Sequence, residues 1–280
     1  MNKYVKIVLI ATSVVAVTAS LFMVWRMTHV PKRKIIIKKH AVAVKKAAKK
    51  KALPEISKKT PRPRIAIVLD DFGYNMNGLD TLFSSGLPVT LSVLPDLPYS
   101  RRVAELARSK GFEVILHLPL EANDKSAPAE SGTIRTDMSE NTINSMLERE
   151  LESVPGLTGI SNHQGSKATE DVATMSVIMA GLKKRNLYFF DSLVTDKSVC
   201  RDVAKKFNVR YAKRDIFLDG SMSPEYIEKQ MLSLRKFAFR RGSAIAVGHD
   251  RKNTLAVLKR MMPELAAEGV EFVTLSDMVK

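Results

Sequence analysis

The sequence predicts an α/β fold in which a parallel sheet is covered by helices. Short apolar segments recur along residues 64–280, and helical patterns lie between most of them. Strands that alternate with helices in this way form parallel sheets. Eight strand candidates in about 215 residues predict a deformed (β/α) barrel of seven or eight strands, and an open doubly wound sheet is the alternative.

The strand candidates are runs rich in Val, Ile, Leu and Phe, as expected of strands buried on both faces. They are residues 65–69, 89–93, 112–116, 157–160, 187–190, 209–211, 244–247 and 270–274. Residues 139–154 predict a helix, because Ser139 can cap its start and Pro155-Gly156 can end it. A second helix is predicted by the spacing of Leu255, Leu258, Met262 and Leu265.

The positive charge of the chain is confined to its N-terminal part. The formal net charge of the 280 residues is +16, and residues 1–64 alone sum to +16, with 17 Lys and Arg against the acid Glu55. Residues 65–280 hold 28 bases and 28 acids. Domains that bind nucleic acid usually carry a basic face, so the folded part has no electrostatic support for a nucleic-acid partner.

Residues 1–25 predict a membrane anchor or signal segment. Within them, residues 7–25 form an uncharged and largely apolar run of 19 residues, close to the roughly 20 needed to cross a bilayer as a helix. We expect an uncleaved anchor, because the run continues past Val17-Thr18-Ala19, the candidate cleavage site. Residues 26–63, rich in Lys, Ala and Pro, predict a solvated linker, with adhesion to anionic lipid or envelope polymer as the alternative.

Titratable side chains follow the apolar runs at the points where parallel strands would end. Asp70 and Asp71 follow the first candidate, His117 the third, His163 the fourth and His249 the seventh. Adjacent carboxylates after a buried strand are costly unless a cation or hydrogen-bond donors offset their desolvation and repulsion. Because the carboxyl ends of parallel strands meet at one edge, the sequence predicts a single site there.

The residue types of this set favour a divalent metal. Imidazole and carboxylate groups are ligands of zinc and similar first-row ions. Two histidines and one carboxylate leave positions for water and substrate, and the metal lowers the pKa of its water. A second carboxylate would accept a proton from that water, and another histidine would protonate the leaving group. This is the chemistry of amide or ester hydrolysis.

Four short motifs at the strand ends carry a resemblance to a known family. They are Asp70-Asp71-x-Gly73, the strand from Gly111 to His117, Asn162-His163-x-Gly165-Ser166 and Gly248-His249. Over about residues 64–280 the sequence resembles the divergent polysaccharide deacetylases, distant relatives of the carbohydrate esterases typified by chitooligosaccharide deacetylases. The resemblance implies a deformed (β/α) barrel as the catalytic domain and an extracytoplasmic, envelope-linked setting.

The resemblance also implies roles for individual residues. By position, Asp70 matches a catalytic base and His249 a general acid. Asp71 and His117 match ligands of a divalent metal such as zinc. The better-known branch of the family carries a second metal histidine four residues after the first, and Glu121 occupies that position here.

Further residues complete the predicted site. His163 is expected to supply the missing imidazole ligand, and Glu121 is the alternative ligand. Asp191 ends the fifth strand candidate, and Arg214-Asp215 follow the sixth. These three are predicted to orient the histidines or aspartates from outside the ligand set, with salt bridging as the alternative for Arg214 and Asp215.

The residues and the resemblance together predict a membrane-anchored, metal-dependent hydrolase. It would remove N- or O-acetyl groups from an envelope polysaccharide, with peptidoglycan as the candidate. We expect the catalytic domain in the periplasm, although the basic residues after the apolar run would by themselves favour the cytoplasm. The alternative is a non-catalytic glycan-binding or envelope-assembly protein on the same barrel. A phosphoryl receiver is disfavoured, because the third strand candidate ends in His117 and not in an acceptor aspartate.

Overall fold

The described part of the chain forms a nine-stranded sheet covered by helices. The computed structural model describes residues 61–126 and 128–280. The predicted membrane segment and residues 26–60 of the predicted linker lie outside the described residues. Across residues 61–126 and 128–280, none of the helices has both the length and the apolar character that crossing a bilayer requires.

The elements follow one another as the sequence predicts. The strands are β1 (Arg64–Phe72), β2 (Thr90–Val93), β3 (Glu113–Leu120), β4 (Gly159–Gln164), β5 (Tyr188–Asp191), β6 (Tyr211–Lys213), β7 (Ile216–Phe217), β8 (Ser243–His249) and β9 (Glu271–Val273). The α-helices are α1 (Leu79–Ser84), α2 (Ser100–Ser109), α3 (Glu140–Ser153), α4 (Val172–Lys184), α5 (Cys200–Phe207), α6 (Pro224–Arg241) and α7 (Lys252–Ala267). Two 3₁₀ turns lie at Ala168–Glu170 and Leu275–Asp277.

The sheet is a parallel (β/α) half-barrel. Its strand order is β6-β5-β4-β3-β2-β1-β8-β7, and β9 pairs with the first residues of β1. Within the described residues no strand ladder joins β6 to β7. The chain crosses this gap at Arg214, whose amide donates to Asp191 O (3.0 Å), and at Asp215, whose amide donates to Ile245 O (2.9 Å). The parallel β/α architecture predicted from the sequence is confirmed, in the form of an incompletely closed barrel.

All eight strand candidates overlap strands of the sheet, although residues 209–211 share only Tyr211 with β6, and one strand was not predicted. The missed strand, β7, has two residues, both half-buried, which is too short to show a hydrophobic period. The predicted cap of α3 is present, because Ser139 Oγ accepts from the Thr142 amide at 3.2 Å. That helix ends at Ser153, just before the predicted stop.

Side chains alternate between the two faces of each strand. This alternation divides the core into two clusters and places the site residues on the inner face. Successive side chains of a strand point to opposite faces. On β1, Ile65, Ile67 and Leu69 join the large core beneath the helices, whereas Ala66 and Val68 join the smaller core inside the half-barrel. Asp70 continues the inward row, because it lies two residues beyond Val68. On β3 the inward row runs from Ile115 to His117. On β8 it runs from Ile245 through Val247 to His249.

Candidate active site

The backbone at the end of β1 brings two adjacent aspartates into one cleft. Neighbouring residues of a regular strand would face opposite sides, but Asp71 has a φ of +68°. The register with β2 also shifts between Leu69 and Phe72. A left-handed conformation is uncommon for a residue other than glycine, although Asp tolerates it better than most. This local irregularity turns the Asp71 carboxylate toward the same cavity as Asp70.

Asp71, His117 and His163 form a three-residue cluster suited to a divalent metal. Asp71 Oδ1 lies 3.4 Å from His117 Nε2 and 3.2 Å from His163 Nδ1. Bonds of about 2.0–2.2 Å in a tetrahedral zinc site place ligand atoms about 3.3 Å apart. Asp71 Oδ1 is buried and accepts no hydrogen bond from the described residues. An orphaned carboxylate oxygen facing two imidazole nitrogens fits a cation.

Hydrogen bonds from outside the cluster orient His117. Its Nδ1 is hydrogen-bonded to Ser161 Oγ at 2.8 Å, and Ser161 Oγ to Ser92 Oγ at 2.7 Å. All three side chains are buried. A partner on one ring nitrogen fixes the ring and directs the other nitrogen, Nε2, at the cluster, as is usual around metal-binding histidines.

The motif after β4 fixes the position of His163. Asn162 Oδ1 accepts from the Ser192 amide at 2.9 Å, and Asn162 Nδ2 donates to Gln164 O at 2.7 Å, so the ends of β4 and β5 are joined. Gly165 has a φ of +89°, and a Cβ there would lie 2.8 Å from Leu120 Cβ. Only glycine meets both constraints without strain. The chain therefore turns sharply after His163 and leaves its ring beside that of His117, with centroids 4.9 Å apart.

Asp70 is a buried carboxyl beside the cluster. It is 3% exposed, and its Oδ1 accepts no hydrogen bond from the described part of the chain. Its Oδ2 lies 3.8 Å from His117 Nε2. Burial raises the pKa of Asp70 and outweighs the attraction of His117. In the same cluster, burial opposes ionisation of Asp71, but the adjacent His117 and His163 outweigh it and hold the pKa of Asp71 well below its usual range.

His249 lies on the other side of Asp71 and is backed by a carboxylate. Its Nε2 is 3.5 Å from Asp71 Oδ2, and its Nδ1 donates to Asp219 Oδ1 at 2.8 Å. Asp219 Oδ2 also accepts from the His249 amide (2.9 Å) and from Thr254 Oγ1 (2.7 Å). Burial raises the pKa of Asp219, but the bond from His249 outweighs it and holds the pKa below its usual range. Asp219 therefore stays ionised and holds the His249 ring through its Nδ1.

Asp219 was not predicted from the sequence. It follows β7, the strand that is too short to be recognised. The available signal was the apolar segment from Ile216 to Leu218 that precedes Asp219 and Gly220, since it places an aspartate after a strand in the same way as Asp70.

Arg214 faces the cavity, whereas Asp215, which was predicted together with it, does not. The Arg214 guanidinium donates to Ser192 O (2.7 Å) and Leu193 O (2.8 Å) and lies over Phe217. Burial lowers its pKa, and the charge of Asp70 acts in the opposite direction. Asp215 lies away from the cavity, where it accepts from the Ile245 amide at 2.9 Å and contacts Arg241. Asp215 therefore makes a salt bridge, which was the alternative to a role in the site.

The structure also places Glu121 outside the cluster, which corrects its interpretation as an alternative ligand. His117 and Glu121 are four residues apart on extended chain, a distance of about 13 Å. One Glu121 oxygen accepts from Thr136 N and Oγ1, both at 2.8 Å, and the other from Lys167 Nζ at 2.8 Å. Burial raises the pKa of Glu121, but Lys167 and Thr136 lower it to about 2.

Asp191 points away from the cavity and contacts neither the histidines nor the aspartates of the site. It accepts from the Leu193 amide (2.8 Å), Ser198 Oγ (2.6 Å) and Tyr211 OH (3.1 Å). The reason is alternation, because Phe190 before it belongs to the interior of the half-barrel. Asp191 thus fastens the loop after β5 and does not orient a ligand directly.

The predicted residues surround an open cavity of about 340 Å³, within the usual size range of small-molecule sites. Five of the residues predicted as ligands or catalytic groups line it: Asp70, Asp71, His117, His163 and His249. The others are Asn162, Gln164, Ser192, Val194, Arg214, Phe217 and Val247. Of these further lining residues, the sequence analysis predicted a role only for Arg214.

Comparisons with known proteins agree with this geometry. The family described as divergent polysaccharide deacetylase matches residues 67–279. Over 214 residues the chain is 35% identical to the uncharacterized protein YibQ of Escherichia coli (strain K12), covering 76% of this chain and 67% of that protein. Over 204 residues it is 34% identical to an uncharacterized protein of Haemophilus influenzae (strain ATCC 51907 / DSM 11121 / KW20 / Rd), covering 72% of each.

A solved structure that is similar to this chain shares the fold. It is the uncharacterized protein ATU2773 from Agrobacterium tumefaciens C58, with a TM-score of 0.75 and 24% sequence identity, covering 79% of this chain and 91% of that one. The family match spans nearly all of the folded part and confirms the resemblance that the motifs predicted. The chain belongs to the divergent polysaccharide deacetylases.

Proposed function

We propose that the protein is a metal-dependent hydrolase that removes acetyl groups from an envelope polysaccharide. The observation that supports this most strongly is the convergence of Asp71, His117 and His163 on one point, with Asp70 and His249 beside them. These three residues would hold the metal. A bound zinc ion would supply Lewis-acid chemistry and a water of lowered pKa.

Asp70 is the proposed base. It is the buried carboxyl beside the cluster that the ligand set does not need, and its Oδ1 has no competing donor among the described residues. Burial weakens its hydration, and its raised pKa brings it closer to that of a useful proton acceptor. Arg214 lies near enough to favour the ionised form. Asp70 would therefore accept the proton of the attacking water.

His249 is the proposed acid. Its Nε2 faces the cavity, and its Nδ1–H is held by ionised Asp219. A proton on Nε2 would pass to the departing nitrogen or oxygen as the acetyl carbon–heteroatom bond breaks. The products are acetate and a free amino or hydroxyl group on the glycan, so one water is consumed and the protons balance.

Bound metal and acetate release test this assignment in the full-length chain. We expect Asp70→Asn and His249→Gln to retain about one metal per chain and to lose at least 100-fold in turnover, the range of acid–base contributions. Asp71→Ala and His163→Ala should lose the metal as well. Glu121→Gln, which removes a carboxylate outside the cluster, is the matched control and should retain both. Full turnover in Asp70→Asn would overturn the assignment.

The alternative function, a non-catalytic glycan-binding or envelope-assembly protein, gives a different result in the same experiment. It predicts glycan binding without acetate release, and binding unaffected by Asp70→Asn. The substrate is proposed as an envelope glycan, with peptidoglycan as the first to assay.

The proposed setting is the periplasm, with residues 7–25 as the anchor. Protease treatment of intact and of permeabilised spheroplasts tests it. A periplasmic domain is cleaved in intact spheroplasts, whereas a cytoplasmic one is cleaved only after permeabilisation.

A further inference from the structure

Helix α6 carries an unusual exposed stripe in its last four turns. From Lys229 onward, every exposed side chain of this helix is basic or apolar: Lys229, Leu232, Lys236, Phe239, Arg240 and Arg241. Leu232 is 48% exposed and Phe239 49%. Single exposed apolar residues are normal on soluble proteins, but a stripe that combines two of them with cations and no acid is not the usual mixed polar face.

Helical geometry groups these side chains. Leu232 and Phe239 are seven residues apart and lie one above the other, since the helix completes nearly two turns between them. Lys229, Lys236 and Arg240 flank this line on one side, at intervals of seven and four residues. We call these five residues the α6 stripe. Its pattern, an apolar line with cations beside it, is that of helices that lie at a lipid surface.

The charges of the α6 stripe are available to an external partner. Within the described residues, no carboxylate lies within 4 Å of Lys229, Lys236 or Arg240. Three acids nearby are paired with other cations: Glu228 with Arg260, Glu268 with Arg235, and Asp215 with Arg241. Glu225, one turn before Lys229, accepts a hydrogen bond from Ser223 Oγ. Arg235 also lies over the Phe239 ring, 4.9 Å from its centroid, so the ring is flanked by a cation on its other side.

The chain enters the folded part at the same end of the sheet. The Arg64 amide donates to Gly242 O, immediately after α6, at 2.9 Å. Residues 26–60, which precede this point, hold 13 Lys and Arg and one acid. The candidate active site lies at the opposite edge, where the strands end. Contact through the α6 stripe would use none of the residues that line the cavity.

We propose that the α6 stripe docks the folded domain onto a bilayer that contains anionic lipids. The cations match anionic headgroups, each contributing about fivefold to the docked population. Leu232 and Phe239 match the apolar layer below the headgroups, which a soluble anionic glycan does not offer. The inference is independent of the proposed function, because it uses none of the residues of the active site.

Site-specific fluorescence on the full-length chain tests the proposal. An environment-sensitive maleimide dye would be attached to Leu232→Cys, to Phe239→Cys and to Val172→Cys. Val172 is 53% exposed and begins α4 at the opposite edge, so it is the control. The native Cys200 is buried, and burial raises its pKa to about 12, so it reacts slowly. Vesicles would contain phosphatidylcholine alone or with 30% phosphatidylglycerol, a chosen test composition of about one anionic lipid in three.

We expect a blue shift and protection from iodide at positions 232 and 239 on anionic vesicles only, with position 172 unchanged. A triple variant with Lys229→Glu, Lys236→Glu and Arg240→Glu should reduce the docked-to-free ratio by at least about 100-fold. The matched control, Lys197→Glu, Arg201→Glu and Lys252→Glu, changes the charge equally at the opposite edge and should retain docking. Circular dichroism would verify that both variants fold.

Three results would overturn the proposal. The first is a dye at positions 232 and 239 that responds no more than the dye at position 172. The second is an equal response on neutral and anionic vesicles. The third is docking that survives charge reversal of the α6 stripe in a folded protein, which would mean that another part of the chain brings this helix to the lipid.

Discussion

The two ends of the half-barrel differ in how their buried carboxyl groups are hydrogen-bonded. Strand β3 reaches both ends, with Glu113 at the amino end and His117 at the carboxyl end. At its start, Glu113 accepts hydrogen bonds from Thr90 Oγ1 (2.7 Å), Thr158 Oγ1 (2.8 Å), Tyr188 OH (3.1 Å) and the Ser276 amide (3.1 Å). These donors come from four separate parts of the chain. The amino end of the half-barrel is thus closed by a carboxylate whose hydrogen bonds are complete.

At the carboxyl end the hydrogen bonds are incomplete. Only four residues beyond Glu113, His117 faces Asp70 and Asp71, and one oxygen of each aspartate lacks a donor among the described residues. Buried polar groups in native proteins are nearly always satisfied, so the exceptions require an explanation. Here a metal ion and a substrate would supply the missing partners. The polar groups at the amino end are thus satisfied within the protein, whereas those at the carboxyl end are left for the ligands of the proposed function.

The largest expected effect on stability concerns the amino end of the half-barrel, which Glu113 closes. Glu113→Ala removes the common acceptor and leaves buried hydroxyl and amide donors unpaired, so we expect the free energy of unfolding to fall by about 3–5 kcal/mol. Urea denaturation followed by circular dichroism would measure it. Asp70→Asn at the open end should be neutral or stabilising in metal-free protein, because it removes a buried charge.

Glu105→Ala, on an exposed and solvated glutamate, is the control for Glu113→Ala and should change stability by less than about 0.5 kcal/mol. A loss below about 1 kcal/mol for Glu113→Ala would mean that water replaces the carboxylate. The contrast between the two ends would then fail.

The next effect concerns the open end. Zinc at 100 times its dissociation constant should raise the free energy of unfolding by about 2.7 kcal/mol, because the ion would satisfy Asp71 Oδ1 in the folded state only. Thermal unfolding with added zinc and then with chelator would measure it. Asp71→Asn should abolish the effect and Glu121→Gln should retain it. Equal stabilisation of wild type and Asp71→Asn would place the ion elsewhere.

The sequence predicted which strand-end residues lie together better than it predicted the residues around them, and the reason is physical. Parallel strands bring their carboxyl ends together whatever the loops do, so Asp70, His117, His163 and His249 could be grouped from strand ends alone. Their convergence does not depend on side-chain detail. His163 was predicted at the cluster because it follows a strand candidate and could supply the imidazole that Glu121 replaces.

What the sequence could not provide is the direction of each side chain. Asp191 ends a strand just as His249 does, yet alternation turns it outward. Asp71 should also have turned outward, but its left-handed backbone reverses the side chain. Asp219 follows a strand of two residues that has no recognisable period. Register and irregular backbone decide these cases, and both arise from tertiary packing.

A smaller effect tests how the open end is organised. Ser161→Ala removes the hydrogen bond to His117 Nδ1, so we expect zinc affinity to fall by about 10- to 100-fold. Competition with a chromophoric chelator would measure it. Ser166→Ala is the control, since Ser166 bonds Asn123 and not the cluster. If the two serine variants bind zinc equally well, His117 is oriented by packing alone.

The smallest effect uses Asp250, another carboxyl at the carboxyl end of the sheet, which accepts no hydrogen bond from the described residues. Burial raises its pKa to about 6 from an ordinary 3.8. The folded state therefore binds a proton that the unfolded chain has released, so this contribution is complete below about pH 4 and is lost as the pH rises through 6. Urea denaturation between pH 4 and 7 in chelator should show wild type losing about 1–2 kcal/mol that Asp250→Asn does not lose.

Asp219, on the other side of His249, contributes to stability with the opposite pH dependence. The effects of Asp219 and Asp250 can therefore be told apart. Its pKa is lowered in the folded state, so its contribution is present above about pH 4 and is lost on acidification. Asp219→Asn should therefore weaken the protein at neutral pH, whereas Asp250→Asn should strengthen it. If both variants shift stability in the same direction at pH 7, the presence of a hydrogen-bonded partner is not what distinguishes carboxyls in this half-barrel. The contrast with Glu113 would then need another cause, such as depth of burial.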